Sequence, residues 1–244
     1  MMKKRELAGR VALVTGGAVR IGRAIVEALA AQGCGVVIHC QRSVVAARAL
    51  AVVVRAAGGR AWVLRGAMNS ADDGVRVLRR ARRMAGRLDI VVNNAARYTR
   101  QPLRDSTQLA LAAEFGTNLF APFGLTMAFA RDGGRGVVIN LLDRRIASCE
   151  SGACVYTLTK LALAGFTRLA ALELAPQIRV NAVAPGPVLP PPGQESACLC
   201  EKAGNIPLLV QPTAAQVAEA VVALVRMESV TGQILYVDGG QHLL

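Results

Sequence analysis

Tyr156-Thr-Leu-Thr-Lys160 sets a phenol and an ammonium four residues apart. On a helix that spacing puts both side chains on one face. The chain holds three Tyr and four Lys among 244 residues. Chance alone gives one such pair with a probability of about 0.05, so the spacing gains its weight from its surroundings. Asn140-Leu-Leu-Asp143 precedes the pair at an expected strand end, and Asn118 lies further upstream in a long predicted helix. A second cluster, Thr15-Gly16-Gly17-Ala18-Val19-Arg20-Ile21-Gly22, joins a short apolar run to a helical pattern. Gly16 permits a tight turn there, and Gly22 lets the helix pack close. Free N–H groups at the start of that helix attract a pyrophosphate. The simple G-x-G-x-x-G pattern is absent, and Arg20 stands where a middle glycine often does. A third cluster, His39-Cys40-Gln41-Arg42-Ser43, ends the next apolar run without an acid to hold ribose hydroxyls. Arg42 and Ser43, with Arg20 close by, suit a 2′-phosphate instead, because a guanidinium fork matches a phosphate dianion. This favours NADPH over NADH.

These clusters need elements to hold them. Short apolar runs predict strands near 11–14, 36–38, 60–66, 89–92, 136–139, 179–183 and 233–237. Helical patterns fall between them, near 21–29, 43–57, 75–87, 104–130, 152–175 and 213–227. The strands are continuously apolar rather than alternating, as strands buried on both faces are. Strand–helix alternation then predicts an α/β fold: one doubly wound parallel sheet with helices on each side, in a single domain over 1–244. Ligands of such folds bind at the carboxyl ends of the strands, which is where all three clusters sit. The Pro- and Gly-rich stretch 187–206 reads as a substrate loop or lid. Arg97, Tyr98 and the stretch 144–150 are expected to shape the pocket.

Composition narrows the classes. Fifty-three per cent of residues are apolar, which excludes a disordered chain. The longest apolar runs fall far short of the roughly 20 residues that span a bilayer, and the basic N-terminus is followed by too short an apolar run for an export signal. A cytoplasmic chain with no membrane partner is expected. The six cysteines show no paired zinc spacing, and Cys198-x-Cys200 is too tight for one. They read as free thiols, with no metal site. The net charge is +13, from 25 Arg and four Lys against 16 acids. Arg76, Arg79, Arg80, Arg82, Arg83 and Arg87 alternate with Val75, Leu78, Ala81 and Ala85 at helical spacing. That pattern describes a solvated helix face. It lacks aromatic stacking partners and any nucleic-acid motif, so no nucleic-acid partner is expected.

Taken in order, Thr15-Gly16 through Gly22, Asn93-Asn94-Ala95-Ala96, Asn118, Tyr156-x-x-x-Lys160, Pro185-Gly186, Thr231-Gly232 and Asp238-Gly239-Gly240 resemble the short-chain dehydrogenase/reductase family. The resemblance runs from about residue 9 to 240. It implies a Rossmann-type fold of about seven parallel strands, a small-molecule substrate and a homotetramer. Within the family the chain looks most like pteridine reductases. Three features carry this: Arg20 in the glycine turn, the Arg42-Ser43 pair, and Asp143 where most members carry a serine. The resemblance implies Tyr156, Lys160, Asn118 and Asp143 as catalytic residues. It implies Gly16, Arg20, Ile21, Gly22, His39, Arg42, Ser43, Asn94, Ala95, Tyr156, Lys160, Pro185, Gly186 and Val188 as cofactor contacts. One departure stands at Gly66-Ala67-Met68-Asn69, where many members place an acid against adenine.

The implied roles can be weighed physically. Tyr156 serves as general acid, and Lys160 is expected to lower its pKa from about 10 by favouring the phenolate. By resemblance Lys160 also holds the nicotinamide ribose, and Asn118 helps a water link it to solvent. A serine at 143 would stabilise a developing oxyanion. An ionised Asp143 would repel one, and suits an N-protonated substrate such as a pterin or imine. The alternative is an Asp143 turned away onto Arg144 or Arg145. Other functions remain open: a carbonyl reductase such as a 3-oxoacyl-carrier-protein reductase, whose acidic carrier would suit the positive charge, or a non-catalytic NADPH-binding regulator.

Overall fold

The computed structural model describes residues 6–148, 150–190 and 205–244. Seven strands form one sheet: β1 (Val11–Val14), β2 (Gly35–Cys40), β3 (Ala61–Arg65), β4 (Ile90–Asn93), β5 (Gly136–Leu141), β6 (Ile178–Pro185) and β7 (Ile234–Val237). Their order is β3-β2-β1-β4-β5-β6-β7 and every pairing is parallel. The continuous apolar runs have the expected cause. Ala12 and Val14 of β1 pack with α1 (Arg20–Ala31), α2 (Val44–Ala56) and α7 (Ala214–Arg226) on one face. Val11 and Leu13 pack with α3 (Ala71–Ala85) and α5 (Ala121–Arg131) on the other. Successive side chains enter opposite layers, so neither parity can be polar.

The chain order reverses between β1 and β4, and a crevice opens there beyond the carboxyl ends of the strands. Two helices, α3 and α5, pack on one face of the sheet beside it. The Arg-rich helix α3 is capped by Ser70, whose side chain accepts from the Asp73 N–H at 3.2 Å, and buries Val77, Leu78 and Ala81. Its arginines stay on the outer side, with Arg76 paired to Asp73 and Arg79 to Asp132. Helix α5 lies against α3 at backbone distance: a methyl on Gly124 would stand 2.0 Å from the Ala71 carbonyl oxygen. Among the described residues no helix is long and apolar enough to cross a membrane.

The long helix expected over 104–130 is broken. A 3-10 turn at Leu103–Asp105 precedes α4 (Gln108–Phe115), and a π-helical stretch (Gly116–Phe120) joins α4 to α5. Pro122 stands at the start of α5 and has no N–H, so the preceding turn cannot close its regular bond and widens instead. Asn118 sits in that widened turn, fully buried. The remaining long helix, α6 (Cys154–Glu173), carries Tyr156 and Lys160 on its first turns.

Candidate active site

The crevice holds a cavity of about 650 Å³. Gly16, Arg20, Ile21, Gly22, His39, Arg42, Ser43, Asn94 and Ala95 all line it, as do Met68 and Asn69 from the end of β3. The glycine turn forms its floor. Gly16 has φ +61°, and a methyl on Gly22 would stand 2.2 Å from the Gly16 carbonyl oxygen, so this turn and helix can approach only as glycines. Neighbouring strands lock the turn in place. Thr15 Oγ1 accepts from the Asn94 and Ala95 N–H groups at 2.9 and 3.0 Å, and Asn94 Nδ2 donates to the Thr15 and Gly16 carbonyls. His39 is buried between the turn and β3. Its Nδ1 accepts from the Gly16 N–H at 3.3 Å, and its Nε2 donates to the Gly66 carbonyl at 3.2 Å. Burial pushes its pKa down to about 4, so the ring is neutral near pH 7.

Arg20 adopts a left-handed backbone, φ +56°, unusual for a side chain of its size. Its guanidinium donates to the Leu189 and Pro190 carbonyls, at 3.4 and 2.8 Å, and so ties the glycine turn to the segment after β6. Arg42 and Ser43 are exposed on the cavity rim. Ser43 occupies the N-cap position of α2 yet makes no side-chain capping bond, so its hydroxyl is not spent on the helix. Pro185 ends β6. Gly186 approaches Asp238 so closely that a methyl would stand 2.8 Å from its Cβ, and Val188 is buried just beyond. None of these three lines the cavity itself. The expectations for Cys149, Pro191, Pro192, Cys198, Cys200 and most of 187–206 fall outside the described residues.

A second constellation lies at the ends of β5 and α6. The Tyr156 hydroxyl donates to Asp143 Oδ2 at 3.1 Å. Lys160 Nζ lies 5.6 Å from the Tyr156 ring centroid and donates to the Leu141 carbonyl at 2.7 Å. Asp143 also receives Arg145, through the backbone N–H at 3.0 Å and Nη1 at 3.2 Å. It is therefore paired with Arg145 and turned toward Tyr156 at once; the two orientations expected as alternatives coexist. Asn118 does not reach Lys160 directly. Its oxygen accepts from the Arg97 N–H at 2.8 Å, and its amide donates to the Arg97 carbonyl and to Thr159 Oγ1 on α6.

The expected fall in the Tyr156 pKa does not occur. Burial drives it well above the ordinary phenol value, and the carboxylate of Asp143 against the hydroxyl adds to the rise. Lys160 responds to its own burial, which lowers it to about 8 against the pull of Asp143. Its ammonium faces the ring rather than the hydroxyl, and the acid at the hydroxyl outweighs it. Spacing showed that the pair shares a face, but not which group would touch the phenol oxygen.

Two of the residues expected to shape the pocket also meet this constellation. Tyr98 packs edge-on against Tyr156, with ring centroids 4.9 Å apart, and is itself half exposed. The Arg145 guanidinium lies 5.8 Å from the Tyr98 ring centroid. Neither stands in a motif: Tyr98 comes from the loop after β4 and Arg145 from the 3-10 turn after β5, and only the packing of both at α6 brings them to the tyrosine.

Comparison with known proteins agrees with this geometry. The family model for short chain dehydrogenases matches residues 10–197. Pteridine reductase 1 of Leishmania tarentolae is 33% identical over 278 residues, covering 96% of each chain. A putative ketoacyl reductase of the granaticin polyketide synthase from Streptomyces violaceoruber is 35% identical over 245 residues, again 96% of each. The crystal structure of FolM alternative dihydrofolate reductase 1 from Brucella canis, complexed with NADP, superposes with a TM-score of 0.92 at 34% identity, covering 99% of this chain and 97% of that one. Tyr156, Lys160 and Asp143 do not line the cavity of the glycine turn; with the parallel sheet, that turn and the tyrosine–lysine helix all present, the chain belongs to the short-chain dehydrogenase family and is an oxidoreductase.

Proposed function

We propose that the protein is an NADPH-dependent reductase of a pteridine-like C=N bond, in a dihydropterin or dihydrofolate. The observation that carries this reading is the Tyr156 hydroxyl donating to the Asp143 carboxylate at 3.1 Å. An acid at that position disfavours a developing oxyanion and favours a substrate protonated on nitrogen. Similarity to a pteridine reductase and to an alternative dihydrofolate reductase supports the same substrate class.

The residues fit a dinucleotide phosphate. The close-packed glycine turn, with the start of α1, offers N–H groups to a pyrophosphate. Arg42 and Ser43 are free on the rim to take a 2′-phosphate, with Asn69 and Met68 beside the adenine end. Ile21, Asn94 and Ala95 line the same cavity, and Pro185, Gly186 and Val188, outside it at the end of β6, would meet the nicotinamide end. When bound, NADPH supplies the hydride for the carbon. The protein supplies the proton for the nitrogen. Tyr156 stays protonated across the neutral range because burial and Asp143 both raise its pKa. The nitrogen takes that proton as the hydride reaches the carbon, so the C=N bond is reduced in its N-protonated form and ends as a neutral amine. Lys160 has donors beyond the one given to Leu141 and holds the nicotinamide ribose with them. Asn118 positions the site, tying the Arg97 backbone to α6 through Thr159.

The same reading places the protein in the cytoplasm as a homotetramer. The free thiols of Cys34, Cys40 and Cys154 suit a reducing compartment. Leu158, Leu161, Leu169 and Leu172 are exposed along α6, and Phe120 and Phe123 beside it, an apolar surface that a second subunit would cover.

The test is a substrate panel with NADPH. Dihydropterins or dihydrofolate are expected to be turned over, and the Tyr156→Phe variant to lose about 10²–10⁴ in kcat while binding NADPH normally. Turnover of ketones alone would reassign the protein as a ketoreductase, the activity named for its granaticin relative.

A further inference from the structure

The proton donor and its acid are the start of a longer chain of charged groups. Asp143 Oδ2 receives both the Tyr156 hydroxyl and Arg145 Nη1. Arg145 continues through Nε to Glu150 Oε2 at 2.8 Å, and the other oxygen of Glu150 is held by Arg144, whose side chain is 9% exposed. Burial works against the Glu150 charge, but the Arg144 and Arg145 guanidinium groups hold its pKa below the ordinary value. Two acids and two arginines thus balance beside the tyrosine. Arg145 is the only member that touches both acids, and its plane also lies against Tyr98, which packs edge-on against Tyr156.

We propose that Arg145 is a positioning residue for the reaction: by bridging Asp143 and Glu150 it fixes the Asp143 carboxylate on the Tyr156 hydroxyl and seats Tyr98 over the pair. The inference rests on the reading of Tyr156 and Asp143 given above. Exposed ion pairs contribute little, but the Arg145 side chain is 24% exposed and that of Asp143 17%, and the guanidinium engages two carboxylates with fixed geometry. A lysine cannot reproduce that fork. Without Arg145, Asp143 keeps its place at the head of the 3-10 turn Arg144–Ile146 but loses its neutralising partner. The groups that face the Asp143–Arg145 pair are Tyr156 and Lys160 from α6 and Tyr98 from the loop after β4. Arg144 and Glu150 come from the same segment, and His242, bonded to Asp238, from the C-terminal turn packed against it.

Arg145→Met and Arg145→Lys, measured with Tyr156→Phe as reference, test this. In Arg145→Met, kcat is expected to fall about tenfold or more, as for a misaligned donor, with NADPH affinity unchanged because Arg145 itself does not line the cavity. Loss of the cation leaves the charge of Asp143 less balanced, which disfavours the phenolate and favours the ammonium of Lys160. The alkaline limb of the kcat/KM profile therefore moves up by about 0.5–1 pH unit. Arg145→Lys restores the limb but only part of kcat. An Arg145→Met variant with the wild-type limb and kcat overturns the proposal, as does one that loses NADPH affinity in parallel, which would mark a merely structural role. If Tyr156→Phe retains turnover, the underlying reading fails instead, and the two failures are told apart.

Discussion

At the level of single residues the site is governed by which charge lies nearest which proton. Burial raises the Tyr156 pKa most, and because Asp143 takes the hydroxyl itself while Lys160 faces the ring, the acid adds to that rise. The same logic applies on the cavity rim. Arg42 is exposed and lines the cavity, and the neighbouring Ser43 hydroxyl is not committed to capping α2. No acid follows β2 to bind ribose hydroxyls. A charge-assisted bond to a phosphate is worth about 1.5–3 kcal/mol. Arg42→Ala is therefore expected to cut the preference for NADPH over NADH by about ten- to a hundredfold, read as the ratio of their dissociation constants, with NADH binding nearly unchanged. A ratio that stays at its wild-type value would remove Arg42 from the 2′-phosphate site.

At the level of elements, the sequence was a good guide wherever one physical requirement dominated. The inner strands carry apolar runs because both faces are covered, and those runs marked all seven strands although His39, Arg65, Asn93, Asn140, Arg179 and Asn181 interrupt or end them. The glycine turn was legible because Gly16 needs a left-handed backbone and Gly22 needs room. The π-helical stretch was not, since the apolar periodicity of 104–130 runs across it and the break depends on Pro122 acting on the turn before it. Arg145 and Tyr98 escaped assignment for a related reason: their meeting depends on how two loops pack, which no local spacing records. The element whose geometry is most tightly fixed gives the sharpest prediction. In Gly22→Ala the new methyl meets the Gly16 carbonyl at 2.2 Å and Asn94 Nδ2 at 2.6 Å, and the turn is held from behind by Thr15 and His39. Overpacking of this kind costs about 1–3 kcal/mol, or roughly 2–4 °C in Tm for each of those kcal/mol. The melt is expected to drop by that amount, and NADPH is expected to stabilise the variant far less than the parent. Full stabilisation by NADPH would mean that the turn does not cradle the pyrophosphate.

For the molecule as a whole, the buried His39 links the cofactor crevice to acid stability. Its pKa is about 4 in the folded protein, against about 6.5 in an unfolded chain, because burial disfavours the cation. Between those values the unfolded state binds the extra proton, so stability falls as pH falls from about 6.5 to about 4 and is unaffected by this group above 6.5. The full difference amounts to about 3 kcal/mol. Protonation would also place an N–H on Nδ1 against the Gly16 N–H that it now accepts, so the acid form cannot keep the clamp on the turn. Carboxylates titrate in the same range, but they are common to a His39→Gln variant, which keeps a polar side chain and cannot gain a charge. Denaturant unfolding of both proteins at fixed concentration, from pH 7 down to 4, separates the two contributions. His39→Gln should be the less stable protein at pH 7, having lost the clamp, and should lose less stability on acidification. The two curves should converge by about 3 kcal/mol at pH 4, whereas parallel curves would mean that His39 is not held neutral by its burial.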